Sequence, residues 1–132
     1  MNTQDYTWWI CRANEYLCSA NRAIAENRQQ MALSNLQHAA EFLLKAGIRY
    51  HSGQHPHIRN PYTLGHICRL YIPDLDKIFS NETDEQIKLF ALLHPYSYNP
   101  EHTAADTNQL SNLLERLQQL RQLIQDSVHK GR

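Results

Sequence analysis

The sequence predicts an all-α fold, an up-and-down bundle of four to five helices. Apolar residues recur at helical spacing, most clearly at Leu36, Ala39, Ala40, Leu43 and Leu44, which fall on one stripe. Leu, Ile and Ala dominate the aliphatics, while glycine and proline number only 4 and 5 in 132 residues. Start and stop signals divide the chain at plausible helix lengths. Residues 1–132 are expected to form one domain, long enough to bury a core without staples.

The first helix is expected from about Thr3 to Glu26, with Trp9, Ala13, Tyr16, Leu17, Ala20, Ala23 and Ile24 on its apolar stripe. Trp8 and Trp9 are adjacent, so one helix cannot bury both in the same direction. One belongs to the core, and the other is a candidate for a partner surface. After a polar break at Asn27 to Gln29, the second helix is expected from Gln30 to Tyr50, its end marked by Gly47 and the basic Arg49. The loop HSGQHPHIRNP, His51 to Pro61, is long for a bundle and rich in breakers. Asn60-Pro61 then supplies a cap and a first-turn proline for a third helix, which carries Leu64, Ile67, Cys68 and Tyr71 inward and stops before Pro73.

Thr83 and Gln86 have the spacing of a capping box for a short fourth helix, with Ile87, Phe90, Ala91 and His94 at helical spacing. Pro95 to His102 reads as an aromatic loop, and Thr103 to Asp106 as a second cap pattern. The last helix follows, keeping Leu110, Leu113, Leu117, Leu120 and Ile124 in a near-heptad repeat. That stripe suits bundle core, with coiled-coil dimerisation as the alternative.

Composition excludes several classes. The apolar runs are far short of the roughly 20 residues a membrane helix needs. The polar opening Met1 to Asp5 lacks a secretory leader, and the three cysteines Cys11, Cys18 and Cys68 show no CxxC spacing. A cytoplasmic protein with reduced thiols is expected. A formal net charge of zero argues against coating nucleic acid by bulk electrostatics.

The charge distribution is less even. Between Glu41 and Asp74 there is no acidic residue, while Lys45, Arg49, Arg59 and Arg69 are cationic and His51, His55, His57 and His66 share the window. The window is either a fluctuation on a solvated surface or a patch facing phosphate, stronger at mildly acid pH. On the second helix, His38, Glu41 and Lys45 form a polar strip opposite the leucines. Glu41 and Lys45 stand i, i+4 with the acid first, the better order for a helix ion pair.

No Glu-x-x-His pair of a di-iron bundle occurs, only the reversed His38-x-x-Glu41. Imidazole suits zinc or nickel, but His51, His55 and His57 lie in a loop without a nearby carboxylate, so no metal and no cofactor is expected. Glycine-rich phosphate loops, nucleophile elbows and paired-carboxylate motifs are missing as well.

The segments TWWICRANEYLCSA, NLQHAAEFLLKAG and YTLGHICRL together resemble the HEPN domain, the "higher eukaryotes and prokaryotes nucleotide-binding" helical bundle, over roughly residues 5 to 100. Gln37, Ala39, Glu41, Lys45 and Ala46 match the Gln-x-Ala-x-Glu-x-x-x-Lys-Ala of that family's second helix. The third element departs from the pattern, because Tyr62 stands where the family's histidine would be and His66 lies four residues later. The family's late Arg-Tyr-Pro is reduced to PYSYNP, which leaves Tyr96 and Tyr98 as stacking or packing residues.

Many HEPN proteins look like ribonucleases using a late Arg-x(4–6)-His motif from both subunits of a dimer. In that mechanism arginine holds the scissile phosphate and histidine acts as general acid or base. Here no arginine lies between Arg69 and Arg116, and Arg121 and His129 are one residue too far apart. Arg49 to His55 and Arg59 to His66 match in form but lie in the wrong place. The resemblance therefore implies a non-catalytic, dimeric accessory protein, one that binds a nucleotide or RNA, a minimal nucleotidyltransferase partner, or both, as in a toxin–antitoxin pair. Glu41, Lys45, Arg49, Arg59 and His66 are its expected ligand-binding residues. One alternative is a metal-independent ribonuclease using Arg59 and His66, and another is a purely structural helical oligomer. In the plainest reading, Glu41 and Lys45 simply pair and anchor the next helix.

Overall fold

The structure, a computed structural model, describes residues 3–54, 56–78, 89, 91–93 and 106–130, with backbone alone at Thr3, Gln4, Tyr62 and Lys130. Its helices are α1 (Thr3–Ala25), α2 (Gln29–Ser52), α3 (Pro61–Cys68) and α4 (Thr107–Lys130), with a 3-10 turn at Pro73–Lys77. The fold is all-α, as the periodicity predicts. The side chain of Tyr62, the start of the expected fourth helix at Thr83, its Phe90 and His94, the aromatic loop with Tyr96 and Tyr98, and His55 lie outside the described residues.

α2 is the hub, packing against α1, α3 and α4, while α1 also meets α4. Its stripe of Leu36, Ala39, Ala40, Leu43 and Leu44 is fully buried. α4 contributes Leu110, Leu113, Leu117, Leu120 and Ile124 to the same cluster, so this near-heptad stripe is core within the chain and not a seam held open for a second copy. Trp9 is buried and Trp8 is 53% exposed, which resolves the adjacent pair as the helical geometry requires.

The turn between α1 and α2 is closed by a Schellman motif. Asn27 takes the left-handed conformation (φ 59°), its N–H donates to the Ile24 carbonyl and the Arg28 N–H donates to the Ala23 carbonyl. So short a connection turns α2 back antiparallel along α1.

α2 runs to Ser52, two residues past the end expected at Tyr50, and Gly47 does not mark its stop. Gly47 is buried in mid-helix, where an added Cβ would stand 3.2 Å from Cys68 Sγ, so its job is to admit α3 closely. The true stop is Gly53, left-handed at φ 74°, with its N–H donating to the Arg49 carbonyl. Pro61 opens α3 as predicted, and Leu64 and Cys68 are buried. Tyr71 is not inward: α3 ends at Cys68, and the following turn carries Tyr71 out to 42% exposure.

Ala91, one of the residues expected at helical spacing, is exposed, whereas Leu89 and Leu93 one turn apart are buried. The larger side chains take the core positions because each removes more apolar surface from water. At the start of α4 the described cap is Asp106, while Thr103 of the expected pattern lies outside the described residues. Asp106 Oδ1 accepts from the Gln109 N–H (2.7 Å) and Gln109 Oε1 accepts from the Asp106 N–H (3.1 Å), so the reciprocal box uses Asp106 as its first member. Among the described residues, no helix is long and apolar enough to cross a membrane.

Candidate functional site

The polar strip of α2 forms one wall of a cleft of about 470 Å³. His38, Glu41 and Lys45 line it from α2, and Pro56, His57 and Arg59 line it from the loop that leaves α2. At its floor Lys45 Nζ donates to Glu41 Oε2 at 2.8 Å, with side chains only 8% and 13% exposed. Lys45 Nζ also lies 5.3 Å from the centre of the Trp9 ring, whose π face helps to offset the lost hydration of the cation. Ammonium has three donors, so a floor pair using one of them keeps capacity for a ligand.

An alternating stack of rings backs this floor. Trp9 and Tyr16 are two turns apart on α1, and His38 and Phe42 one turn apart on antiparallel α2. The four interleave in the order Trp9, Phe42, Tyr16, His38, with centroid separations of 5.0, 5.4 and 5.0 Å. Interplanar angles of 35°, 27° and 28° keep the rings close to parallel. The stack runs from a buried tryptophan to an exposed histidine. The Arg12 guanidinium lies 5.8 Å from the Tyr16 ring and 5.9 Å from the Trp8 ring, capping the outer side of the aromatic group.

The structure divides the expected ligand residues. Glu41, Lys45 and Arg59 share the cleft. Arg49 does not line it: it pairs with Asp5 at 2.9 Å and donates to the Gly53 carbonyl, tying the end of α2 to the start of α1. His66 is exposed on α3 and does not line the cleft either. Arg69 is held by Asp76 at 2.6 Å. Gln37, which carries part of the family pattern, donates to the Leu92 carbonyl at 2.8 Å and so anchors the segment around Leu93.

His51 and His57 face different grooves, so these two loop histidines are not gathered. Among the described residues, no group of three His, Cys, Asp or Glu is placed to hold a metal. In the second groove His51 Nε2 lies 2.9 Å from Ser127 Oγ, and that hydroxyl donates to the Ile124 carbonyl at 2.7 Å. The serine proton is therefore committed, and its oxygen accepts from His51 Nε2–H. This is a structural link between α2 and α4, without the proton path a serine nucleophile needs. Burial lowers the His51 pKa, because desolvation disfavours the charged ring.

The HEPN domain family model matches residues 6–127. The chain belongs to the HEPN domain family. No curated protein matches the chain, and no solved structure does. A HEPN domain suggests a nucleotide- or RNA-related function, and every residue lining the cleft, from Trp9 to Arg59, lies within the matched segment.

Sequence reasoning alone missed the aromatic half of the HEPN cleft. Trp9 and Tyr16 read as ordinary core, Phe42 carries no signal of its own, and His57 enters only as one histidine of the acid-free window and as a possible metal ligand. A signal existed: two aromatics at i, i+7 on one helix and two at i, i+4 on the next interleave once the hairpin is antiparallel.

Proposed function

We propose that this HEPN protein binds the phosphate-bearing part of a nucleotide or RNA in the α2 cleft and does not cleave it. The carrying observation is the convergence of Lys45, Arg59 and His57 against a single acid, Glu41, on a cleft walled by aromatic rings. Cations draw the phosphate, and the walls suit a planar base. Arg59, the cation of one Arg-x(4–6)-His match, lines this cleft while its histidine, His66, does not, which supports binding over cleavage by that pair. The reading includes a homodimer and a nucleotidyltransferase partner, for which exposed Trp8 beside the cleft is a natural contact.

The test is a thermal-shift and calorimetric titration with nucleoside mono- and triphosphates, in the wild type and in Arg59→Ala. Saturable binding weakened by Arg59→Ala supports the proposal. Turnover of RNA that is lost in both Arg59→Ala and His66→Ala would sink it in favour of the ribonuclease. Sedimentation of the protein alone and with a candidate nucleotidyltransferase tests the assembly.

A further inference from the structure

The ring stack ends at His38, and that end lies in the cleft. Three members of the series, Trp9, Phe42 and Tyr16, have the ordinary role of joining α1 to α2. His38 adds little to that joint, because it is exposed on the polar strip. Among the described residues only Tyr16 stacks on it, at 5.0 Å and 28°. One imidazole face is thus fixed against the protein, while Pro56 and His57 line the cleft from the loop side.

A planar heterocycle is the chemistry that extends such a stack. Base–aromatic stacking tolerates any base and works best on a ring already held in place. The neighbours on the same strip fit what such a ring carries. Glu41 offers acceptor oxygens and Lys45 donor hydrogens, matching the mixed donor and acceptor edge of a nucleobase or the hydroxyls of a ribose. Arg59 on the loop supplies the cation for the phosphate.

We propose that His38 is a stacking platform for a nucleobase, and that the cleft holds a nucleoside 5′-phosphate unit with its base on His38 and its phosphate at Arg59. This rests on the nucleotide reading of the cleft and divides it into a base subsite and a phosphate subsite. The unit is the same in a free nucleotide and in an RNA end.

The experiment compares AMP with ribose 5-phosphate by calorimetry on the full chain, in the wild type, His38→Ala, His38→Phe and Arg59→Ala, with circular dichroism confirming the fold. AMP is expected to bind about tenfold more tightly than ribose 5-phosphate in the wild type. His38→Ala removes that advantage and leaves ribose 5-phosphate unchanged. His38→Phe, a ring without charge, restores it, and Arg59→Ala weakens both ligands together. Competition by a short 5′-phosphorylated oligoadenylate separates an RNA end from a free nucleotide, and displacement by either supports the platform.

Equal binding of AMP and ribose 5-phosphate to the wild type overturns the platform while leaving the phosphate reading standing. Equal weakening of both ligands by His38→Ala, without rescue by phenylalanine, also overturns it, because His38 then acts by charge. Failure of both ligands to bind the wild type removes the nucleotide reading and the platform together.

Discussion

Replacing Lys45 with methionine isolates the ion pair at the cleft floor. The substitution keeps an apolar stem against Trp9 and removes only the ammonium. At 2.8 Å and an effective dielectric near 20, the gross attraction to Glu41 is about 6 kcal/mol, most of it offset by the desolvation of both groups. The pair is exposed by only 8% and 13%, so solvent screening is weak, yet it borders a cleft and Glu41 can recover some water when left alone. We therefore expect Lys45→Met to destabilise the fold by roughly 2–3 kcal/mol, below the range for a fully buried broken pair. Glu41→Gln should cost less, because the amide oxygen can still accept from Lys45 Nζ and so leaves the ammonium a polar partner. In the double variant Glu41→Gln/Lys45→Met the unpaired charge is gone, and most of the loss should return. Urea unfolding of the four proteins gives the coupling energy, expected at roughly 1–3 kcal/mol. A coupling below about 0.5 kcal/mol would show that the two charges are solvated independently, and would refute the floor pair as drawn.

Four further outcomes follow from the same geometry. Gly53→Ala forces a side chain into the left-handed cap at φ 74°, where it meets nothing within 4 Å, so the cost is backbone strain alone, about 1–2 kcal/mol in urea unfolding. Because burial lowers the His51 pKa, the unfolded chain binds its proton first; stability is complete above the unfolded value near 6.5 and falls as pH drops through it, a slope that His51→Gln flattens. Burial pushes the Cys68 thiol up to about 12, so an aromatic disulfide reagent at pH 8 should modify exposed Cys11 and Cys18 quickly and Cys68 only as the protein unfolds. Asp106→Ala removes one arm of the α4 capping box and should cost about 1 kcal/mol.

The core was legible because it depends on period alone. Leucines three and four residues apart must share a stripe whatever they pack against, and α2 and α4 bury theirs completely. Helix ends were less legible because the same residue serves two purposes. Gly47 and Gly53 both look like stop signals, yet one is a close approach to Cys68 and the other a left-handed cap, a difference set by α3 and not by the residues beside them. Thr103 and Asp106 compete similarly, since Asp106 fits both as the last member of one box and as the first of another. Among site residues, Glu41 and Lys45 were found through their spacing along one helix. The ring stack depends on the register between two helices, which no single-helix pattern encodes.

The acid-free window from Lys45 to Arg69 shows how far linear charge counting carries. Four cations without a local acid read either as a positive patch or as a fluctuation on a solvated surface, but folding brings acids to three of them. Asp5 reaches Arg49 from the start of α1, Asp76 reaches Arg69 from the 3-10 turn, and Glu41 holds Lys45 from the turn before. Among the described residues, none forms an ion pair with Arg59, which leaves it as the window's available cation, and it stands on the one segment that faces the polar strip. Lys45 then sets the potential of the floor without being free to move, because Trp9 and Glu41 fix its position. An exposed cation on a loop facing a fixed, half-neutralised one is an arrangement that suits an anion between them. Affinity for phosphate should accordingly depend on Arg59 more steeply than on any other cation of the window.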